Sequence, residues 1–197
     1  MIYIKLLNYY YQNYRSILNK NHLNSFKFDS IYIDPLKIYS SVMVIIHFPN
    51  DIPTVLLTKR SILLKNHAGE ISFPGGKFSN SDKSFLDTAI RETSEEIGIA
   101  INKNQVIGCL NPVYTHTSHI LIYPYIALIK EITEKLRPNL EVEEIINFPI
   151  KKLKTSILKD EQLSKINIKM FKFVLDDYII WGATARILKE LLDVLMQ

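Results

Sequence analysis

Hydrophobic residues along the chain form short runs separated by turn-forming residues, which predicts a series of strands. The first two runs flank the segment Pro49-Asn50-Asp51-Ile52-Pro53 and predict a hairpin with a five-residue turn. Two later runs flank Asp176-Asp177 and predict a second hairpin, whereas residues 112–118 are predicted to form a loop. The predicted strands are residues 40–48, 54–58, 71–73, 106–110, 120–129, 171–175 and 178–181.

Apolar residues at spacings of three and four predict helices between and after these strands. The strongest helical pattern ends at Gly98, a residue type that favours helix C-caps, and residues 80–82 offer side chains for its N-cap. Residues 148–150 are predicted to open a short Lys-rich helix, and residues 183–196 have the spacing of a terminal amphipathic helix. Neither a repeat nor a linker is evident, so these elements are predicted to form one α/β unit.

The composition is typical of one soluble globular domain. The chain has 197 residues, of which 47% are hydrophobic and 22% are charged. Cys109 is the single cysteine, which excludes an intrachain disulfide and a Cys-based zinc site and favours a reducing compartment. The chain lacks the roughly 18 uninterrupted apolar residues of a membrane helix, and residues 1–20 lack the apolar run of a signal peptide. We therefore expect a cytoplasmic protein with no membrane partner.

The net charge is positive, which raises the question of nucleic-acid binding. Lysine and arginine number 24 against 20 aspartate and glutamate residues, and the sequence pI is near 9.0. A nucleic-acid surface would combine clustered basic residues with interleaved aromatic ones. The richest basic run, Lys151-Lys152-Leu153-Lys154, contains neither arginine nor an aromatic residue. It is interpreted as a solvated helix face, and no nucleic-acid partner is predicted.

An acidic cluster lies on the predicted helix that ends at Gly98. Glu92, Glu95 and Glu96 are spaced at i, i+3 and i+4 and therefore share one helix face. A hard divalent cation would relieve their mutual repulsion, because Mg²⁺ and Mn²⁺ prefer oxygen ligands. Arg91 lies one turn before Glu95 and can hold it through a forked hydrogen bond. The alternative is a solvated acidic face, and an upstream glycine pair disfavours it because such a turn lets the backbone approach a ligand closely.

The glycine turn and the acidic helix together resemble the Nudix box, the signature of hydrolases that cleave nucleoside diphosphates linked to another moiety. The matching residues are Gly76, Arg91, Glu92, Glu95, Glu96, Gly98 and Ile99. The segment before the box resembles the additional motif of the coenzyme A pyrophosphatase branch of that superfamily. Its matching residues are Leu56-Leu57-Thr58-Lys59-Arg60-Ser61, Lys65, Gly69 and Phe73-Pro74-Gly75-Gly76. The similarity continues through Glu141 and Trp181, so it covers most of the chain from about residue 40.

The resemblance implies a Nudix fold, an α/β/α sandwich with a mixed central sheet, over residues 40–197. It implies hydrolysis, dependent on Mg²⁺ or Mn²⁺, of the diphosphate bond in nucleoside diphosphate derivatives. Coenzyme A and its thioesters are the leading substrates, giving 3′,5′-ADP and 4′-phosphopantetheine products. ADP-ribose or a dinucleotide is an alternative substrate, and a non-catalytic nucleotide-binding module is an alternative class. Residues 1–39 are a helical or irregular extension that the sequence leaves open as a homodimer contact, a lid or a decoration.

The resemblance also assigns roles to individual residues. It implies Glu92 and Glu96 as metal ligands, which their i,i+4 spacing supports, and Glu95 as a further ligand or a partner behind the ligands. Glu141 matches the downstream glutamate that serves as a ligand or a base, although a solvated loop is an equal alternative. It also implies that Arg91 orients Glu95. The residues that it implies for contact with substrate are Arg60, Lys65, Gly75 and Gly76.

Three departures from the family pattern affect these assignments. The interval from Gly76 to Arg91 is one residue longer than in the general box, so its early glutamate corresponds either to Asp82 or to Lys83. Lys65 replaces an expected arginine and exchanges a bidentate phosphate contact for a point charge. Thr93 also stands where an aliphatic residue is preferred, which is a mild change.

Several other residues are weaker candidates for a role in the site. Glu70 is a second candidate for the work of Glu141, and His67 for a donor in a substrate loop. A metal site at His116 and His119 is disfavoured because the motif offers no carboxylate or thiol partner. Tyrosines can stack on an adenine ring, although most of them pack in the core. The two tyrosines considered for this are Tyr114 and Tyr123.

Overall fold

The computed structural model describes residues 11–18, 34, 36–115, 117–159 and 171–196. The helices are α1 at residues 11–18, α2 (Phe85–Ile97), α3 (Ile150–Thr155) and α4 (Gly182–Met196). The strands are β1 (Ile38–His47), β2 (Thr54–Arg60), β3 (Ile71–Ser72), β4 (Gly75–Lys77), β5 (Val106–Cys109), β6 (Val113–Tyr114), β7 (Ile120–Leu128), β8 (Val142–Pro149), β9 (Ile157–Lys159), β10 (Phe171–Leu175) and β11 (Tyr178–Ile180).

Strands β1 to β8 form one mixed sheet in which β1 is central. β1 runs parallel to β7 along its length, while β2 and β4 pair antiparallel with the two halves of its other edge. β3 and β8 extend the sheet from β2, and β5 and β6 extend it from β7, all antiparallel. Because β2 and β4 share one edge of β1, the sheet divides between them, and the end of β2 lies near the start of β4.

Alternate side chains of the sheet point into two separate cores, as the period of a strand requires. Val44 and Ile46 of β1 face the core that α4 covers, whereas Met43 and Ile45 face the core that α2 covers. β7 alternates in the same way, with Ile126 in the first core and the neighbouring strand residues in the second. The layers α2, sheet and α4 confirm the predicted α/β/α sandwich with a mixed central sheet.

Helix α1 packs against the same core as α4. Tyr11 and Leu18 are buried there, and the rings of Tyr11 and Tyr14 contact Phe48 edge-on. This helix belongs to the predicted extension 1–39, most of which lies outside the described residues. The division of the chain near residue 39 therefore stays a prediction.

The hairpins predicted from the sequence are confirmed, since β1 pairs with β2 and β10 pairs with β11. The predicted loop at 112–118 contains the two-residue strand β6, which is too short to leave a periodic pattern. The capping prediction is wrong in its residue: Ser84 is the N-cap of α2, and its hydroxyl accepts a 3.1 Å hydrogen bond from Asp87 N. Gly98 ends α2 in the left-handed conformation (φ 77°), as predicted.

Strands β9, β10 and β11 form a separate small antiparallel sheet. Phe173 and Leu175 of β10 are buried in the core shared with α4, so this sheet closes one side of that core. Among the described residues, no helix has the length and apolar character to cross a membrane.

Candidate active site

Glu96 is a buried carboxylate in the last turn of α2. Its side chain is 6% exposed, and Oε2 accepts a 3.1 Å hydrogen bond from the backbone N–H of Gly75. Burial raises the pKa of Glu96 to about 7, although the Gly75 N–H and the Arg60 guanidinium oppose this rise. A carboxylate at such a depth is costly to ionise unless a cation or donors compensate it. Its place therefore favours a binding role over a solvated helix face.

Glu92 lies one turn earlier than Glu96 and points toward Gly76. A Cβ atom at Gly76 would lie only 2.3 to 2.5 Å from the atoms of the Glu92 carboxyl group. Glycine is therefore required at this position for the carboxylate to keep its place. Burial raises the pKa of Glu92, and the Arg91 guanidinium, which donates to Oε1 at 2.8 Å, opposes that rise. Gly75 and Gly76 thus each contact one carboxylate of α2.

Arg91 is the centre of an ion-pair network beside these carboxylates. It donates to both carboxylate oxygens of Asp82 at 2.8 and 2.9 Å, and its Nη1 also donates to Glu92 and Glu95. These bonds from Arg91 lower the pKa of Asp82 to about 2 and raise the pKa of Arg91. The sequence left two residues open as counterparts of the early glutamate of the Nudix box. Asp82 makes the contact with Arg91, whereas Lys83 is exposed.

Glu95 has a different setting from the other two glutamates. Its side chain is 56% exposed, and its Oε2 lies 3.0 Å from Nη1 of Arg91. The predicted contact between Arg91 and Glu95 is therefore present. This exposure suits either a metal ligand that is reached from solvent or a residue that supports Glu92 without contacting the ion. The role of Glu95 stays a prediction.

The end of β2 brings a cation to the buried carboxylate. Nη1 of Arg60 lies 3.9 Å from Glu96 Oε1, and Nη2 lies 3.6 Å from Glu141 Oε2. Both distances exceed those of hydrogen bonds, and Nε of Arg60 is buried without a hydrogen-bond partner in the described part of the chain. A guanidinium with unused donors beside carboxylates is well suited to the oxygens of a phosphate.

The loop before β8 connects Glu141 to α2. Asn139 N donates to the Glu96 carbonyl at 2.9 Å, and Arg137 N donates to the Ile97 carbonyl at 2.9 Å. The last carbonyls of α2 thereby gain partners that the helix itself cannot supply. The Oδ1 atom of Asn139 accepts a 2.9 Å hydrogen bond from Glu141 N. Sequence reasoning missed Asn139; the available signal was an asparagine, a frequent turn residue, two positions before a candidate glutamate.

Other predicted contacts are not brought to the carboxylates of α2. Lys65 lies exposed in the loop between β2 and β3, where no described residue forms a hydrogen bond or ion pair with its side chain. The carboxylate oxygens of Glu70 lie 3.1 Å from His67 Nδ1 instead of facing Glu96. Substrate binding by Lys65 stays a prediction that would require this loop to approach the ligand.

The tyrosine and histidine candidates occupy two different environments. Tyr123 is 2% exposed, and its ring stacks on Phe85 at a centroid distance of 4.3 Å, so it is a core residue and the adenine hypothesis for it is wrong. Tyr114 is 40% exposed, and its hydroxyl lies 2.6 Å from His119 Nδ1. His116 lies outside the described residues.

The carboxylates of α2 match part of the ligand set that a divalent metal ion requires. In the described ranges, no three His, Cys, Asp or Glu side chains converge into a ready-made site. Glu92 and Glu96 nevertheless offer two carboxylates on one helix face, each beside a glycine backbone. Mg²⁺ is typically held by one or two carboxylates, with substrate phosphates and water as the other ligands. The two carboxylates of Glu92 and Glu96 therefore match the number of protein ligands that such an ion takes.

Comparison with known proteins gives the chain a family context. A family model described as the NUDIX domain matches residues 38–171. A relative in Photorhabdus laumondii, described as an uncharacterized Nudix hydrolase NudL, is 33% identical over 142 residues, covering 71% of this chain and 75% of that protein. The mouse mitochondrial coenzyme A diphosphatase NUDT8 is 38% identical over 114 residues, covering 56% of this chain and 54% of that protein.

Solved structures share the fold. A MutT/nudix family protein from Enterococcus faecalis superposes with a TM-score of 0.60 at 17% identity, covering 85% of this chain and 66% of that chain. The NUDIX domain of Shewanella oneidensis NrtR, solved with ADP ribose, gives a TM-score of 0.51 at 18% identity, covering 62% of this chain and 82% of that chain. At these identities the likeness establishes the architecture.

Proposed function

The chain belongs to the NUDIX domain family, and from this membership we propose that it cleaves the diphosphate bond of coenzyme A and its thioesters. As a Nudix hydrolase it is a pyrophosphohydrolase. The observation that carries the proposed site is the buried Glu96, which lies next to Glu92 and accepts a hydrogen bond from the Gly75 N–H at the start of β4. The Arg60 guanidinium faces the same carboxylate with unused donors.

A diphosphate bridge resists attack because its negative oxygens repel a nucleophilic water. A divalent ion, Mg²⁺ or Mn²⁺ in our proposal, would neutralise these oxygens and lower the pKa of water. We assign Glu92 and Glu96 to hold the ion, and Arg60 to bind an oxygen of the diphosphate. Arg91 keeps Glu92 and Glu95 in position through the two hydrogen bonds described above.

Glu141 is the proposed acceptor of the proton that the attacking water loses. Its carboxylate lies beside Arg60, and more than half of its side chain surface is exposed, so it can meet a water that enters with the substrate. Glu95 is the second carboxylate available for this work or for further coordination of the ion. The exposed position of Glu141 distinguishes it from Glu96, whose burial suits a ligand.

Two observations support coenzyme A as the leading substrate. The segment from Leu56 to Gly76 resembles the additional motif of the coenzyme A branch, and the mouse relative is named as a coenzyme A diphosphatase. In the structure this segment contains Arg60, Gly75 and Gly76, which lie next to the helix carboxylates. The residues that carry the resemblance are thus also residues of the candidate site.

A substrate panel read by mass spectrometry tests the proposal. Purified protein with Mg²⁺ or Mn²⁺ is incubated with coenzyme A, acetyl-coenzyme A, ADP-ribose and a dinucleoside polyphosphate. Release of 3′,5′-ADP and 4′-phosphopantetheine from coenzyme A is the expected result. Cleavage of ADP-ribose or the dinucleotide with coenzyme A intact would overturn the substrate proposal and retain the family activity. Binding without cleavage of any compound would favour a nucleotide-binding module.

A further inference from the structure

Asn139 contacts both segments that carry the proposed catalytic carboxylates. Its backbone N–H donates to the carbonyl of Glu96 at 2.9 Å, in the last turn of α2. Its side-chain Oδ1 accepts from the backbone N–H of Glu141 at 2.9 Å, and its carbonyl accepts from Val142 N at 3.2 Å. One residue therefore connects the helix that holds Glu92 and Glu96 with the start of β8, where Glu141 lies.

Glu141 is also fixed to the end of β2 by its backbone. The Ser61 N–H donates to the Glu141 carbonyl at 2.8 Å, immediately after Arg60 in the chain. The Glu141 side chain itself is 54% exposed, and within the described part of the chain its polar contact is the 3.6 Å approach to Arg60. The position of such an exposed carboxylate depends largely on the backbone from which it extends.

We propose that Asn139 is a positioning residue that sets the place of Glu141 relative to Glu96. The inference rests on the hydrolytic role given to Glu141 and holds for any substrate that the site cleaves. The Asn139 N–H bond to Glu96 would survive most substitutions because it uses the backbone. The Oδ1 bond to Glu141 N depends on the side chain. It closes the turn that leads into β8.

Loss of this side-chain bond is expected to affect the rate more than the stability. Asn139 is exposed, so water can satisfy the Glu141 N–H in an N139A variant, and the cost in stability is that of one exchanged hydrogen bond. A displacement of about 1 Å at a reacting group can cost up to about 10²-fold in rate. We expect kcat of N139A to fall about tenfold, with KM changed less than about twofold.

A double-mutant cycle with E141Q separates positioning from a general structural role. If Asn139 acts through Glu141, N139A lowers kcat in the wild-type background and has no further effect when E141Q is already present. N139S, whose hydroxyl can accept the same hydrogen bond, is expected to recover most of the rate. N104A, which alters another exposed asparagine, is the matched control and leaves kcat unchanged.

Amide hydrogen exchange at Glu141, followed by NMR on the protein without substrate, measures the bond itself. Exchange is expected to be faster in N139A than in wild type, and N139S is expected to restore it. Equal losses of kcat for N139A in both backgrounds, or an unchanged kcat and exchange rate in N139A, would overturn the inference. If wild-type protein cleaves no phosphoanhydride at all, the proposed function fails instead, and the exchange result still decides whether Asn139 fixes Glu141.

Discussion

Helices α2 and α4 cover opposite faces of the same sheet, yet they bury different kinds of side chain. α4 buries only apolar residues, among them Leu188 and Leu191, which lie at 0% exposure. α2 buries apolar residues as well, but it also buries Glu96 at 5% exposure. Burying a carboxylate costs free energy where burying leucine gains it. The difference matches the proposed division of roles, in which α4 packs the core and the buried surface of α2 also carries the proposed metal ligand.

Removing the charge of Glu96 is expected to have the largest effect on activity. We predict that E96Q lowers kcat by about 10³-fold, because it would remove a proposed ligand of the metal ion, which would supply several kcal/mol of transition-state stabilisation. D193N on α4 is the control, since the Asp193 carboxylate is paired with Lys189 at the surface. Steady-state rates of both variants test whether charge matters on α2 alone. Similar rates for E96Q and wild type would remove Glu96 from the site.

The same variant has a predicted signature in stability. Because the pKa of Glu96 is raised from 4.5 to about 7, the folded protein without metal loses stability as the pH rises through that interval. E96Q has no carboxyl group to ionise there, so its free energy of unfolding should depend less on pH between these values. Denaturant titrations at several pH values measure this dependence. Parallel profiles for the two proteins would contradict the raised pKa.

The converse experiment removes packing from α4. L188A leaves a cavity in the core and is expected to lower the free energy of unfolding by about 3 kcal/mol. The kcat of the folded fraction should stay close to that of wild type, because Leu188 packs in the core on the face of the sheet opposite α2. Urea denaturation and initial rates at low temperature check the two expectations. A loss of kcat without loss of stability would contradict a purely structural role for α4.

Substitution of Gly76 tests the fit between strand β4 and α2. In G76A the new Cβ would overlap the carboxyl group of Glu92, which is the flexible end of a side chain and can move away. We therefore expect a loss in kcat of about 10²-fold from displacement of a ligand, with a small change in melting temperature. G75A is the comparison, because its Cβ would meet the backbone of Ser41 and Val42. G75A should therefore lose stability, and equal melting temperatures for the two variants would contradict this distinction.

Asp82 gives the smallest of the predicted effects. The bonds from Arg91, together with those from the Ser79 N–H and the Thr88 hydroxyl, lower the pKa of Asp82 from 3.8 to about 2, a difference that corresponds to about 2 kcal/mol of stability. This contribution is complete above about pH 4 and is lost as the pH falls toward 2. D82N should therefore be less stable than wild type near pH 7 and equally stable near pH 2. A stability difference that does not change with pH would exclude the ion pair as its cause.

Most of the fold was predictable because it depends on local patterns. The apolar run of β1, the apolar stripe of α4 and the glycine that ends α2 each follow from nearby residues. The N-cap and the strands β4, β6, β8 and β9 were not predicted: β4 contains the glycine pair that was expected to form a turn, and β8 ends in residues that were expected to open α3. Asp82 is attractive as a cap by residue type alone, but its carboxylate is bound by Arg91 nine residues later. A two-residue strand leaves no period to detect.

The site was predictable only in part. The spacing of Glu92 and Glu96 on one helix follows from the sequence, and so does the glycine pair. The approach of Arg60 and Glu141 to Glu96 depends on how β2 and β8 end beside α2, which is a long-range arrangement. Asn139 escaped notice because its bond to Glu96 uses the backbone and leaves little trace in residue type, and because its side-chain bond to Glu141 N resembles an ordinary turn contact.

If the carboxylates of α2 form a metal-dependent hydrolytic site, cleavage of coenzyme A must require both the carboxylates and the ion. The rate of 3′,5′-ADP release from coenzyme A is compared for wild type and the E92Q/E96Q double variant, with Mg²⁺ or Mn²⁺ and with a chelator. We predict release by wild type only when the ion is present, and no measurable release by the folded double variant. Release at the wild-type rate by the double variant would contradict the claim.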